Sequence, residues 1–174
     1  SMIAFPKNGG TNLFRVRGLE GGFPFYGSID TQPISAANNF QKLGGALVDA
    51  TLMLQFDIKP GDSIKIGEVT LAIIGSLKTI PGSSSISATV APPIIIPYRF
   101  IAQTELLQFG SRKEYKFFYK SPTIDLTVLE KKLTAALAIE NAGLDTHLST
   151  SKRLGKGYAN VSKFLNLAAF IALL

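Results

Sequence analysis

The sequence predicts an α+β fold, with a β-rich subdomain built on a central hairpin beside a small α/β layer of βαβ type. Three stretches predict it. Residues 44–77 (GGALVDATLMLQFDIKPGDSIKIGEVTLAIIGSL) read as a strand, a short helix, a tight turn and a β-hairpin. Residues 113–120 (KEYKFFYK) alternate as a strand does. Residues 125–142 repeat leucine at helical spacing.

Taken in order, residues 11–17 (TNLFRVR) set Leu13, Phe14 and Val16 among polar residues and read as a strand. Residues 18–27 hold four glycines and Pro24, a loop or bulged strand whose Phe23, Phe25 and Tyr26 must pack somewhere. A second strand is expected within 27–34, whereas 35–43 (SAANNFQKL) are weakly patterned. Residues 46–48 begin a buried strand, and Asp49 stands where it can cap a helix over 50–56. Pro60-Gly61-Asp62 makes a turn, because proline fixes φ and glycine tolerates positive φ. Ile64 and Ile66 then alternate with Ser63 and Lys65. Gly67-Glu68 is a two-residue link with glycine first, as a type II′ turn prefers. Val69, Leu71 and Ile73 continue to a bend or bulge at Gly75. Leu47, Val69, Leu71 and Ile73 are expected in the core.

Residues 79–87 (TIPGSSSIS) form a loop, and its Ser83, Ser84 and Ser85 are the expected partner contact, since loops on a rigid scaffold carry such contacts. The prolines of 90–97 (VAPPIIIP) argue for a short edge strand over 94–96. Residues 98–107 read as a weak helix ended by Gly110-Ser111. In 113–120, Tyr115, Phe117 and Tyr119 share one face, expected to be a core-facing aromatic stripe. Leu126, Leu129, Leu133 and Leu137 line the helix of 125–142, with Thr123 or Asp125 as its cap and Gly143 just past its end. Residues 144–150 read as a strand, and Ser151 opens a final helix.

At 174 residues the chain is long enough for a substantial core. Charged residues make up only 17%, and the net charge is +6. The charges form no block, so a solvated basic face is the plain reading, with nucleic acid or an anionic surface as the alternative. Cysteine is absent, which excludes a disulfide framework and a thiolate zinc site. The single histidine, His147, has Asp145 two residues away but no nucleophile beside it. No glycine pair completes a phosphate-binding motif. Residue chemistry therefore reads as non-enzymatic, with no catalytic residue, no cofactor and no metal. Residues 164–174 (FLNLAAFIALL) are apolar except Asn166 and are too few to cross a bilayer. They read either as a buried helix or as the first half of a transmembrane helix.

Four pieces in order resemble the extracytoplasmic domain of FtsX-like, MacB-like ABC transporter permeases, closest to the branch associated with lysophospholipase L1 biosynthesis. They are VRGLEGGFPFYGSI at 16–29, ALVDATLMLQFDIKPGDSIKIGEVTLAIIGSL at 46–77, APPIIIPYRFIAQTELLQFGSRKEYKFFY at 91–119 and RLGKGYANVSKFLNLAAFIALL at 153–174. The sharpest is the Pro60-Gly61-Asp62 turn followed by Ile64-Lys65-Ile66-Gly67.

The resemblance implies an extracytoplasmic domain over 1–163, with a β-rich subdomain of about 26–97 and an α/β layer of about 1–25 and 98–152. Residues 164–174 would then start a transmembrane helix, with Phe164, Leu165, Leu167, Phe170 and Ile171 proximal to the membrane. It implies placement in the inner (cell) membrane, this domain on the periplasmic side, and a cytosolic ATP-binding subunit as partner. A second permease copy and a lipid or exported-protein substrate are further expected partners; nucleic acid is not. The family pattern has a further strand-helix unit before the segment matching residues 3–17; none precedes it here, so the sequence is expected either to be a piece of a longer chain or to lack the unit. The function implied is non-catalytic coupling of ATP hydrolysis to work or docking outside the membrane. The alternative is a free-standing basic module that binds nucleic acid or anionic lipid, drawn from the +6 charge and KEYKFFYK.

Overall fold

The computed structural model describes residues 2–5, 7, 9–81, 91–140, 142–146, 149, 158 and 161–165. The fold is α+β. Two compact units divide the chain, Ser1–Phe118 and Tyr119–Leu174.

In the first unit, eight strands join one sheet: β1 (Met2–Phe5), β2 (Gly10–Leu13), β3 (Arg15–Leu19), β4 (Asp30–Gln32), β5 (Ala46–Asp49), β6 (Ser63–Ile66), β7 (Val69–Thr79) and β8 (Pro93–Pro97). The strand order is β2-β1-β6-β7-β5-β8-β3, with β4 also paired to β7. Only Phe14 separates β2 from β3, so the two ends of this path are adjacent in the chain and the sheet curls back on itself. The eleven residues of β7 bridge its two halves. The first part pairs antiparallel with β6, and the rest pairs parallel with β5 and antiparallel with β4.

Strands buried on both faces read as unbroken apolar runs, and β5 and β8 do so. Ala46 and Val48, with Ile94 and Ile96, enter a core shared with Phe5, Phe14, Ile64, Ile66, Leu71 and Ile73, closed by Leu52 and Met53 of helix α2 (Ala50–Gln55). Leu47 and Ile95 face the other way, against Phe40 and Ala36 of helix α1 (Ala36–Leu43). The edge-strand expectation for 94–96 is therefore corrected: β8 lies between β5 and β3, and its three isoleucines are fully buried. Its prolines stand at the strand ends, where a missing N–H interrupts the ladder least.

The central hairpin follows the sequence expectation closely. Asp49 accepts from the Thr51 N–H at 2.9 Å and starts α2. The Pro60-Gly61-Asp62 turn is bonded onto β7, through Gly61 N to Ile73 O at 2.7 Å and Ile73 N to Asp62 O at 2.8 Å. Gly67 has φ +57° and Glu68 is not in the left-handed region, the pattern of a II′ turn. A Cβ on Gly67 would lie 1.8 Å from the Thr104 carbonyl oxygen. The register of β5 on β7 skips Ile74, the bulge expected near Gly75. There a Cβ would meet that of Ala36 at 2.5 Å, so the missing side chain lets α1 approach β7. Leu47, Leu71 and Ile73 are buried, whereas Val69 is only half-buried.

One stretch without an assigned element is filled, and two further expectations are corrected. Residues 35–43 hold α1, whose Ala36 and Phe40 face inward. Residues 98–107 form two 3₁₀ turns, Tyr98–Phe100 and Ala102–Thr104, ended by the left-handed Glu105. Residues 113–120 form no strand, and Tyr115, Phe117 and Tyr119 are exposed. Among the described residues no strand pairs with them, and β-propensity without a partner builds no ladder.

The second unit contains helix α3 (Leu126–Ile139), capped by Asp125, which accepts from Thr127 N at 2.8 Å and Val128 N at 3.4 Å. Its leucine stripe is at most half-buried. The strand expected over 144–150 is corrected as well: Leu144, Asp145 and Thr146 are irregular and Ser149 is helical. Ser149 N donates to Thr146 Oγ1 at 3.1 Å and Thr146 N to Ser149 Oγ at 2.9 Å, the reciprocal pattern of a helix-opening capping box. The Thr146 hydroxyl also donates to Glu130 of α3.

Candidate functional site

Two features of the first unit stand apart from its packing. One is the junction of the β1–β2 link with the Pro60 turn. The Lys7 ammonium donates to Asp62 Oδ2 at 3.0 Å and to the Asp57 carbonyl at 3.2 Å, while Lys59 N donates to the same carboxylate oxygen at 2.8 Å. The backbone bond from Lys59, then the bond from Lys7, hold the Asp62 carboxyl below its ordinary range. Every partner here belongs to the fold itself, so this is a staple for a turn.

The other feature is the segment after the 3₁₀ turns. It is tied down at both ends. Leu106 packs against the core, and the Ser111 hydroxyl donates to the Leu106 carbonyl at 2.9 Å while accepting from Gln108 N at 3.0 Å. At the far end the Phe118 ring meets that of Phe23, with centroids 4.8 Å apart. That contact answers where one aromatic of the glycine-rich loop packs. Between the ties, Phe109 is fully exposed, Phe117 is 78% exposed and Tyr115 is about half exposed. Arg112, Lys113 and Lys116 interleave with them. The Lys113 ammonium stands 5.7 Å from the centre of the Tyr115 ring, and Lys116 pairs with Glu114 at 3.2 Å. Arg17 of β3 is half-buried, and desolvation, then the like charge of Arg15, push its pKa down; Glu114 partly offsets this.

Among the described residues no group of three or more His, Asp or Glu side chains could hold a metal ion. Nor does any buried side-chain polar atom there lack a hydrogen-bond partner.

No protein-family model and no solved structure matches the chain. The sequence is 27% identical over 164 residues to the uncharacterized ABC transporter permease YbbP of Escherichia coli (strain K12). The alignment covers 93% of this chain and 20% of that protein, so the chain spans about a fifth of the length of this relative. The similarity supports an ABC permease-like domain.

Of the residues expected to touch a partner, Ser83, Ser84 and Ser85 lie outside the described residues. So do Leu167, Phe170 and Ile171 of the membrane-proximal set, and His147. Phe164 and Leu165 are helical and exposed, at 69% and 59%. Among the described residues no helix is long and apolar enough to cross a membrane. The exposed aromatic segment was legible only in part. Its lysine interleaving is plain in the sequence, but alternation alone assigns the rings to a core.

Proposed function

We propose that the chain is the extracytoplasmic domain of an ABC transporter permease. In this reading it is a non-catalytic module that couples ATP hydrolysis by a cytosolic subunit to work or partner docking outside the membrane. The observation that carries the reading is the similarity to a permease along 93% of the chain. Residues 1–163 form the outer domain and 164–174 begin the membrane helix. The permease sits in the inner membrane, pairs with an ATP-binding subunit and acts beside a second copy. A lipid or an exported protein is its substrate. Ser83, Ser84 and Ser85, in the stretch of sequence that follows β7, stand as a partner contact.

The helical residues 161–165 support a mechanical route. A stiff helix passes a displacement in the membrane to the domain above it, whereas a flexible link absorbs it. The exposed Phe164 and Leu165 suit a segment about to enter lipid. A Gly-Ser-Gly spacer inserted after Lys163 of the full-length permease tests this. ATP hydrolysis is expected to persist while transporter function in cells is lost, with the domain still folded. Undiminished function with the spacer contradicts the mechanical reading.

A further inference from the structure

We propose that residues 109–117 form a surface that docks on anionic lipid headgroups. The inference rests on the permease reading, which sets this domain beside a bilayer, and it deepens that reading by naming the surface that meets the lipid.

Three observations carry it. First, Phe109 and Phe117 have no polar atom in their side chains, yet they face water although the chain is anchored on both sides of them. Exposed rings held on a fixed frame mark a surface built to meet an apolar or interfacial partner. Second, the rings are mixed with cations. Arg112, Lys113 and Lys116 outnumber Glu114 within the segment. Anionic headgroups complement that charge, and each cation near such a surface adds affinity. Third, tyrosine sits well at the headgroup level, where its ring meets hydrocarbon and its hydroxyl meets water. Tyr115 lies between the two phenylalanines in sequence and holds Lys113 over its ring.

A single-stranded nucleic acid would use the same cations. It would also need rings spaced along a groove that tracks its backbone. The segment runs without regular structure, and its best-exposed rings, Phe109 and Phe117, are eight residues apart. The observations favour lipid.

The chain has no cysteine of its own, so single labelling sites can be placed at will. In the 174-residue chain, Phe117→Cys and, separately, Glu68→Cys carry an environment-sensitive fluorophore. Each is titrated with vesicles of phosphatidylcholine alone and of phosphatidylcholine with phosphatidylglycerol. The expected result is a blue shift at position 117 with the anionic vesicles only, and none at position 68. Adding Arg112→Gln and Lys113→Gln to Phe117→Cys removes two cations and is expected to weaken vesicle binding about fivefold each, or about twenty-five-fold together. All substituted positions are exposed, and circular dichroism confirms that each variant is folded.

The proposal is overturned if position 117 gives no shift. It is equally overturned if neutral vesicles or position 68 give the same shift, or if the double variant binds as tightly as its parent. A shift caused by an oligonucleotide but not by vesicles assigns the patch to nucleic acid, and a shift on concentrating the protein alone assigns it to a second copy. The vesicle assay does not depend on which side of the membrane the domain occupies in cells. Its failure is therefore distinct from failure of the permease reading.

Discussion

Leu71 lies on β7 with 6% of its surface exposed, inside the core that the curled sheet encloses. Leu71→Ala should cost about 2–5 kcal/mol by denaturant unfolding, the range for a leucine truncated in a packed core. A loss within about 0.5 kcal/mol would put the residue at the surface and the strand register on the wrong face. Asp62 acts through charge. Its folded-state pKa is depressed, so its contribution to stability is complete above the ordinary carboxylate pKa and is lost as pH falls through the lowered folded value. Asp62→Asn should therefore flatten the acid side of the stability curve, measured by denaturant unfolding from about pH 6 to about pH 2. An unchanged acid slope in the variant would show that the staple to Lys7 and Lys59 does not form in solution.

At the scale of elements, legibility followed the location of the stabilising partner. The hairpin was readable because its devices are local: Asp49 for α2, Pro60-Gly61 for the turn and Gly67 for the link. Helix α1 was not, because its capping group is borrowed. Ser35 stands at the N-cap but makes no side-chain capping bond. The hydroxyl of Thr31, on β4, instead accepts from Ala37 N at 3.2 Å and donates to the Pro33 carbonyl at 2.8 Å. Thr31→Ala should destabilise the first unit by about 0.5–2 kcal/mol, as loss of a helix cap does. Ser35→Ala should stay within about 0.5 kcal/mol. The reverse order in an unfolding series would refute the borrowed cap. The Ile94–Ile96 run misled in a different way. Its prolines argued for an edge, but three consecutive buried isoleucines need packing on both faces. Residues 113–120 alternate correctly, yet among the described residues no strand pairs with them to use the alternation.

For the molecule as a whole, the α+β class and the central hairpin could be read from the sequence, and the way the sheet closes could not. Closure depends on β2 and β3 pairing with different partners on either side of Phe14, which no local pattern encodes. The aromatic segment was hidden for a related reason, since its exposure follows from the lack of a pairing strand among the described residues. The placement proposed for this folded unit, outside the cell membrane as part of a permease, is open to a direct test. Glu68, exposed at the tip of the hairpin, offers a direct probe. A Glu68→Cys variant of the full-length permease, otherwise free of reactive cysteine, can be treated with a membrane-impermeant maleimide in intact spheroplasts and after lysis. Full labelling before lysis is expected. Labelling that appears only after lysis would contradict that placement.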